Sequence, residues 1–579
     1  MFLSNLESQY ATHDTGAVVS LLQLLYLAQH KGRLLLDLAQ LVVSLTEIPD
    51  GSDFLCLDLL YDLVCVKQIS GQDNDIKELM NIFFRCFEAY AKPIRLWMTA
   101  GEIDISQGRF FVSEIEDSND LRHLWNGWFK IDAEQGQLYA PKFLQGLARK
   151  IFTCGKGVVF LKKLKAPIEA TTLDNSAPLP FSEVCQRGFG DGLIPFSTLL
   201  ESSFGHIIER NHSFVSSSLR SYLGESCGLW KTLDAIEYIY LAKDLSITSI
   251  LDKKLFDGIY SRLQYWNNRS VLTELAHRTF KGSGTVETER IVVRVKELSR
   301  ESFNKYYLSV HMMRAVAFDY IVPWPIANII PKESLLVYRR LSTFLMQIRY
   351  AKYGLERQCI KDTIAFFNDE EDQQLDILGY VIRYKFVWFL NILYSHIMSV
   401  ISSETRNMRS NLANAADVDE MISVHQKYMT SIMAQCFLSA ETDPVRQQVL
   451  QLLDASIQMA NIQNIRHDNE VYDTGHTNIN NGRRGERWGS GSAGNDDRGH
   501  DYTFEGDTED GDRSQRDDES VHSIYQLDSV TYRRNLVHMR RLFEKLCGAV
   551  ITEIKCLDNL HIHTSWSLLT EKLECRSSR

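Results

Sequence analysis

From Tyr338 the apolar residues Leu341, Phe344, Leu345, Ile348, Ala351 and Leu355 return at steps of three and four, laying one stripe along an α-helix. Val418, Met421, Ile422, Tyr428, Ile432 and Cys436 repeat the pattern. Within Leu527 to Ile554, so do Val530, Leu536, Met539, Phe543, Leu546 and Val550. Asp443 before Pro444 reads as N-cap and first helical residue, opening a helix through Val449, Leu453 and Ile457. Period-two alternation is scarce, with Phe110 to Val112 and Val158 to Leu161 as the short strand candidates. The pattern predicts an all-α chain.

Proline placement points the same way. The 579 residues hold 11 prolines, with none between Pro195 and Pro323, between Pro331 and Pro444, or after Pro444. An interior proline costs a helix roughly 3 kcal/mol, so these gaps permit long helices. Pro167, Pro178, Pro180 and Pro195 cluster with Gly188, Gly190 and Gly192 as a loop-rich junction. The domain change is therefore expected near Glu225, giving domains 1–224 and 225–579. No short internal repeat suggests a solenoid.

One stretch breaks the helical pattern. Val471 to Ser520 holds nine of the 32 glycines, thirteen Asp/Glu and six Lys/Arg, with Val471 and Ile479 its only aliphatics. Its net charge, 6 − 13 = −7, is most of the chain's −11. So little apolar surface cannot offset the entropy of ordering, so an insertion at about 466–522 is expected to be disordered and looped out, a spacer within the second domain.

Composition narrows the class further. Hydrophobic residues are 44% and charged residues 24%, which suits globular domains. The acidic balance and pI near 5.9 argue against broad nucleic-acid binding. The eleven cysteines are scattered without a CxxC pair, so they read as reduced, core-filling thiols. MFLSNLESQY is not a secretory leader, and the apolar run Ala17–Leu27 is broken by Ser20 and Gln23, short of the roughly 20 apolar residues of a span. A soluble protein without a membrane partner is expected.

The search for chemistry is mostly negative. Gly155-Lys156 fails the phosphate-loop pattern, because Lys150 stands where its first glycine belongs and Gly157 follows the lysine. Gly188-Phe189-Gly190 lacks the third glycine of a dinucleotide fingerprint, its place being taken by Leu193. His425 and the His561/His563 pair lack companions at metal-ligand spacing, and His425 reads as a core histidine. No catalytic, cofactor or metal residue is assigned, and an enzyme is not expected. One constellation stands out: Arg339, Arg340, Arg349, Lys352 and Arg357 on the Ser334–Arg357 helix, then Arg383 and Lys385 on the next. A basic face in an acidic protein suits an acidic partner, against the plainer reading of a solvated helix face.

The run from Pro93-Ile94-Arg95-Leu96-Trp97 to Gly101-Glu102-Ile103-Asp104 resembles a signature of gamma-tubulin complex components, Trp-x-x-x-Gly-x-Leu-x-Asp followed by Glu-Phe-Phe. Here Arg109-Phe110-Phe111 stands in the latter place, and Ile105 replaces the usual proline. Pro141-Lys142-Phe143-Leu144 through Ala148 to Gly155-Lys156 is similar to a second landmark, on which Gly155-Lys156 caps a structural helix. Val322-Pro323-Trp324-Pro325-Ile326, Tyr338, Leu390 to Tyr394 and His425 to Leu438 resemble later ones. Their order and spacing over roughly residues 75–440 carry the resemblance.

The resemblance implies two elongated helical-bundle "grip" domains in tandem. The first would pack laterally on neighbouring components and the second would hold gamma-tubulin, displaying a ring that templates microtubules at a microtubule-organising centre or spindle pole body. Any nucleotide would belong to gamma-tubulin. The departures at Ile105 and Arg109 and the acidic insertion point to a divergent member of the fourth-to-sixth component group, the fifth first among them. Pro323, Trp324, Pro325, Arg339, Arg340, Arg349, Lys352, Arg383, Tyr384 and Lys385 are the candidate gamma-tubulin-facing residues, Pro323-Trp324-Pro325 being equally a structural elbow. Pro93, Trp97, Gly101, Asp104, Phe110, Phe111, Pro141, Phe143, Leu144, Gly155 and Lys156 are expected to be structural. The competing reading is a helical subunit of a vesicle-tethering scaffold, which leaves the ordered landmarks unexplained.

Overall fold

The structure is a computed structural model describing residues 21–47, 54–70, 73–103, 110–115, 120–134, 137–138, 140–166, 194–357, 370–480, 529–558 and 565–577. It is mostly α-helical. Two compact units emerge: unit 1 spans Met1–Cys227 with Trp324–Ile329 and Ala416–Glu420, and unit 2 comprises Gly228–Pro323, Ile330–Ala415 and Met421–Arg579. Unit 1 is thus not contiguous in sequence.

Unit 1 opens with α1 (Leu21–Thr46), α2 (Leu55–Ile69) and α3 (Asp73–Ala100). Helix α3 runs through Pro93 and ends where Gly101 takes φ +62, its N–H bonding Trp97 O at 2.9 Å. That left-handed position costs glycine nothing and closes the helix. Two small antiparallel pairs follow, β1 (Val112–Glu114) with β2 (Phe129–Ile131), and β3 (Ala133–Glu134) with β4 (Gln137–Leu138). Then come α4 (Gln145–Lys163) and α5 (His206–Glu225), which pack closely: a Cβ on Gly157 would lie 2.6 Å from Val215 Cγ1. An aromatic cluster of Tyr61, Phe83, Phe87, Phe143 and Phe196 holds α2 and α3 to the turn that precedes α4, with ring centroids 5.2–6.4 Å apart. Such offset and edge contacts add about 0.5–1.5 kcal/mol per pair beyond burial.

Three expectations are corrected in this unit. Val158–Leu161 lies inside α4 rather than in a strand, because the apolar run packs as a buried helix segment. A short apolar run cannot separate these cases by periodicity. The strand near Phe110–Val112 starts at Val112 and reaches Glu114. Gly155 and Lys156 sit within α4 and cap nothing.

Unit 2 begins with α6 (Leu229–Tyr240), α7 (Leu245–Tyr260) and α8 (Arg269–Lys281), the last two capped by Asp244 and Asn268 side chains accepting the first free amides. A five-residue antiparallel pair, β5 (Ile291–Val295) and β6 (Val316–Tyr320), sets Ile291 opposite Tyr320 and Val293 opposite Phe318, all four buried. The long helices are α9 (Lys332–Glu356), α10 (Glu370–Asn414), α11 (Val418–Gln435), α12 (Asp443–Asn480), α13 (Ser529–Asp558) and α14 (Ser565–Ser577). Tyr532, Leu536, Met539, Phe543, Leu546 and Val550 form the buried stripe of α13, and Phe543 meets Phe386 and Phe389 of α10 at 4.9 and 6.4 Å. By length and apolar content, Gln373–Asn414 could cross a membrane. Its Ile382, Phe386, Phe389, Leu390, Leu393 and Ile397 are instead buried within unit 2. Helix α12 continues to Asn480, so residues 466–480 of the expected insertion are helical. Once nucleated, a helix adds residues at one bond each. The rest of that insertion, 481–522, lies outside the described residues.

Candidate functional site

The landmark residues of unit 1 form one packed knot. Trp97 of α3 is fully buried and lies flat against the α4 backbone at Gly155, where an added Cβ would fall 2.0 Å from indole Cε2. Only glycine leaves room for the ring. Gly101 has the same constraint, its Cβ position being 2.6 Å from Val159 Cγ2. Phe110 and Phe111 are buried, and Phe111 O accepts the Asp132 amide at 2.9 Å. Pro141 precedes a short turn in which the Leu144 amide bonds Pro141 O at 2.9 Å, Leu144 being buried and Phe143 joining the aromatic cluster. Pro93 is half-buried within α3. Asp104 lies outside the described residues, as do Ile105 and Arg109.

Lys156, the residue that invited a phosphate-loop reading, is buried beneath aromatic rings. Its ammonium stands 4.4 Å from the Trp125 ring centre and 4.6 Å from that of Phe152, donates to Trp125 O at 3.2 Å and faces Asp419 at 3.7 Å. Burial pushes its pKa down, and the Asp419 carboxylate opposes that shift. Asp419 also accepts from Trp125 Nε1 at 2.5 Å and from Thr153 Oγ1 at 3.3 Å. With its hydrogens committed to protein acceptors under rings, the ammonium holds the core and cannot cradle a phosphate.

Trp324 and Pro325 belong to unit 1, and Pro323 to unit 2. Trp324 packs against Phe160 with ring centres 5.5 Å apart and tilted by 43°, Pro325 is buried, and Asn328 bonds the Trp125 amide, Leu121 O and Trp324 O at 2.9–3.0 Å. Trp324, Pro325 and Asn328 are thus packed within unit 1.

On α9 the arginines divide. Arg339 grips the buried carboxylate of Asp319 through Nε and Nη2 at 2.9 and 2.8 Å, and Arg294 shares that partner. Arg349 binds Asp252 at 2.6 Å with little exposure. Arg340 is exposed, and half-buried Lys352 pairs, among the described residues, with Glu356 one turn on, at 3.5 Å. On α10, Tyr384 is exposed, Arg383 is half-buried and Lys385 lies 3.6 Å from Glu544. The basic face is therefore narrower than the sequence suggests, because Asp319 and Asp252 draw two arginines inward.

Little invites catalysis. Among the described residues no group of three His, Cys, Asp or Glu is placed to hold a metal. His425 is fully buried, shares a 3.1 Å hydrogen bond with Tyr338 and has its pKa lowered to about 4 by burial. Burial pushes the Cys154 and Cys436 thiols up to about 12, far from nucleophilic. A shallow cleft of about 530 Å³ in unit 1, lined by Ile131, Leu138, Phe152, Arg149 and Asp419 among others, brings together a cation and a carboxylate but no nucleophile.

Two family models match the chain: "Gamma tubulin complex component N-terminal" over residues 1–225 and "Gamma tubulin complex component C-terminal" over residues 242–573. The chain belongs to the gamma-tubulin complex component family. That family is structural and non-enzymatic. Gamma-tubulin complex component 5 of Macaca fascicularis is 22% identical over 290 residues, which cover 46% of this chain and 39% of the relative. Component 2 of Mus musculus is 23% identical over 403 residues, covering 63% of this chain and 41% of the relative, and component 3 of Homo sapiens is 20% identical over 380 residues, covering 63% and 39%. The chain thus matches well under half the length of these relatives. The family's tandem arrangement explains why the Trp97–Gly155 knot and the α9–α13 bundle occur in one chain in this order.

Proposed function

We propose that this chain is a scaffold subunit of the gamma-tubulin ring complex at microtubule-organising centres, binding gamma-tubulin and neighbouring components and making or breaking no bond. The tandem match to both family domains carries this reading. Residues 225–579 supply the gamma-tubulin-binding domain and residues 1–224 the lateral one. Exposed Arg340 and Tyr384, with half-buried Lys352, Arg383 and Lys385, are the candidate contacts for an acidic partner surface. Lateral packing is supported by α1, where Leu25, Leu35, Leu36, Val42 and Val43 are all more than half exposed. A run of that kind on a folded surface marks an interaction site. We further assign the chain to the divergent fourth-to-sixth component group, the fifth component being its nearest reading.

The test is capture of purified gamma-tubulin by the immobilised full chain, wild type beside Arg340→Glu/Lys385→Glu, with folding checked by circular dichroism. Saturable capture weakened roughly tenfold by the reversal is expected for two charge contacts, one exposed and one half-buried. Capture that ignores the reversal removes the basic face from the proposal. Leu35→Asp/Leu36→Asp should leave gamma-tubulin capture intact while abolishing association with a neighbouring component.

A further inference from the structure

We propose that the outward face of α13 is a docking surface for an acidic polypeptide segment of a partner chain, carried by a different helix from the α9–α10 candidates proposed above and adjoining them at the Lys385–Glu544 pair. Helix α13 spends one side on the core through Tyr532, Leu536, Met539 and Phe543. On the opposite side Arg534, His538, Arg541 and Lys545 follow at steps of four, three and four, which stacks them in one row. Exposed Val530 and Val537 lie beside that row and, with Arg533, help to line a shallow groove along the helix.

Among the described residues most of the charge there is uncompensated. From Val530 to Lys545 the helix carries five cations, Arg533, Arg534, Arg540, Arg541 and Lys545, against one carboxylate. That carboxylate, Glu544, is taken by Arg540 at 3.1 Å and by Lys385 at 3.6 Å. Among the described residues Arg533, Arg534, Arg541 and Lys545 make no ion pair or hydrogen bond. Like charges one turn apart destabilise a helix, so a row of them in a chain of net charge −11 is relieved when carboxylates arrive.

The same face selects among anions. It is about 22 Å long at 1.5 Å per residue, the reach of about seven extended residues. Valine side chains between the cations reward aliphatic contact. Single-stranded nucleic acid calls for aromatic stacking platforms, and no aromatic residue lies on this face. An anionic bilayer would be repelled by the acidic remainder of the chain. A short segment alternating carboxylate and aliphatic side chains fits both features.

The experiment is fluorescence anisotropy of a labelled synthetic peptide of alternating glutamate and valine titrated with the full chain, at about 50 mM and about 300 mM salt. Saturable binding at low salt, weakened about tenfold or more by the salt increase, is expected. Arg534→Glu/Arg541→Glu should weaken it at least tenfold, whereas Lys281→Glu on α8 should not. Should the double reversal lose helicity by circular dichroism, Arg534→Gln/Arg541→Gln takes its place with a smaller loss expected. No binding, equal loss from Lys281→Glu, or tighter binding of an oligonucleotide of matched charge would each overturn the proposal. So would binding that emerges only after the acidic residues of 496–519 are neutralised, which would assign the face to this chain's own acidic run.

Discussion

Gly155→Ala is the most informative single substitution in unit 1. It adds one methyl group inside α4, and on helix propensity alone it should stabilise by up to about 1 kcal/mol. The structure predicts the opposite. The new Cβ would lie 2.0, 2.1 and 2.4 Å from three indole atoms of Trp97, a side chain with no solvent exposure and Phe129 4.9 Å away on its edge. To restore van der Waals separation the ring or α4 must move by about 1.5 Å, and overpacking of this kind costs typically 1–3 kcal/mol, occasionally more. Taking about 3 kcal/mol, the unit's Tm falls by roughly 6–12 °C, at 2–4 °C per kcal/mol for a domain of this size. Gly146→Ala on the same helix is the control, because its Cβ meets nothing within 4 Å. It should leave Tm unchanged or slightly raised. Differential scanning calorimetry of both variants beside wild type reads the contrast, and Trp97→Phe in the Gly155→Ala background should recover part of the loss as a coupled pair. Equal Tm for Gly155→Ala and Gly146→Ala would refute the Trp97–Gly155 packing.

Other expectations follow from buried charge. Asp419→Ala strands the Lys156 ammonium among rings and should cost roughly 3 kcal/mol, whereas Lys156→Met removes the buried charge and should cost less than half of that in urea unfolding. Asp319→Asn leaves Arg339 without its bidentate partner, and since Arg339 keeps 28% exposure the loss should sit near or below the lower end of the ~3–5 kcal/mol range for broken buried pairs. His425 and His396, both held near pKa 4 by burial, are neutral in the folded state and protonate first when unfolded, near 6.5. Their contribution is present above pH 6.5 and is lost as pH falls toward 4. In His425→Phe the stability difference between pH 7.5 and 4.5 should shrink by about 2–3 kcal/mol, measured as urea unfolding at the two pH values.

The helices were legible because their apolar steps are local. The stripes at Leu341–Leu355 and Leu536–Val550 lie where the structure buries them. What sequence reading missed lies in partners far along the chain. Arg339 and Arg349 look like a solvated basic row until Asp319 and Asp252, 20 and 97 residues away, turn them inward. Lys156 finds Asp419 across nearly half of the sequence, and no spacing rule reaches that far. Gly155 read as a cap through the family resemblance; its reason is an indole on α3. The α13 cation row was readable at steps of four and three beside a known apolar stripe, yet it is diluted in a chain of net charge −11.

Sedimentation velocity of the full chain with purified gamma-tubulin is the most direct test of the scaffold reading. The account predicts a saturable complex of one gamma-tubulin per chain, formed without nucleotide turnover by the chain itself. A folded, monodisperse chain that forms no complex at any accessible concentration would contradict it.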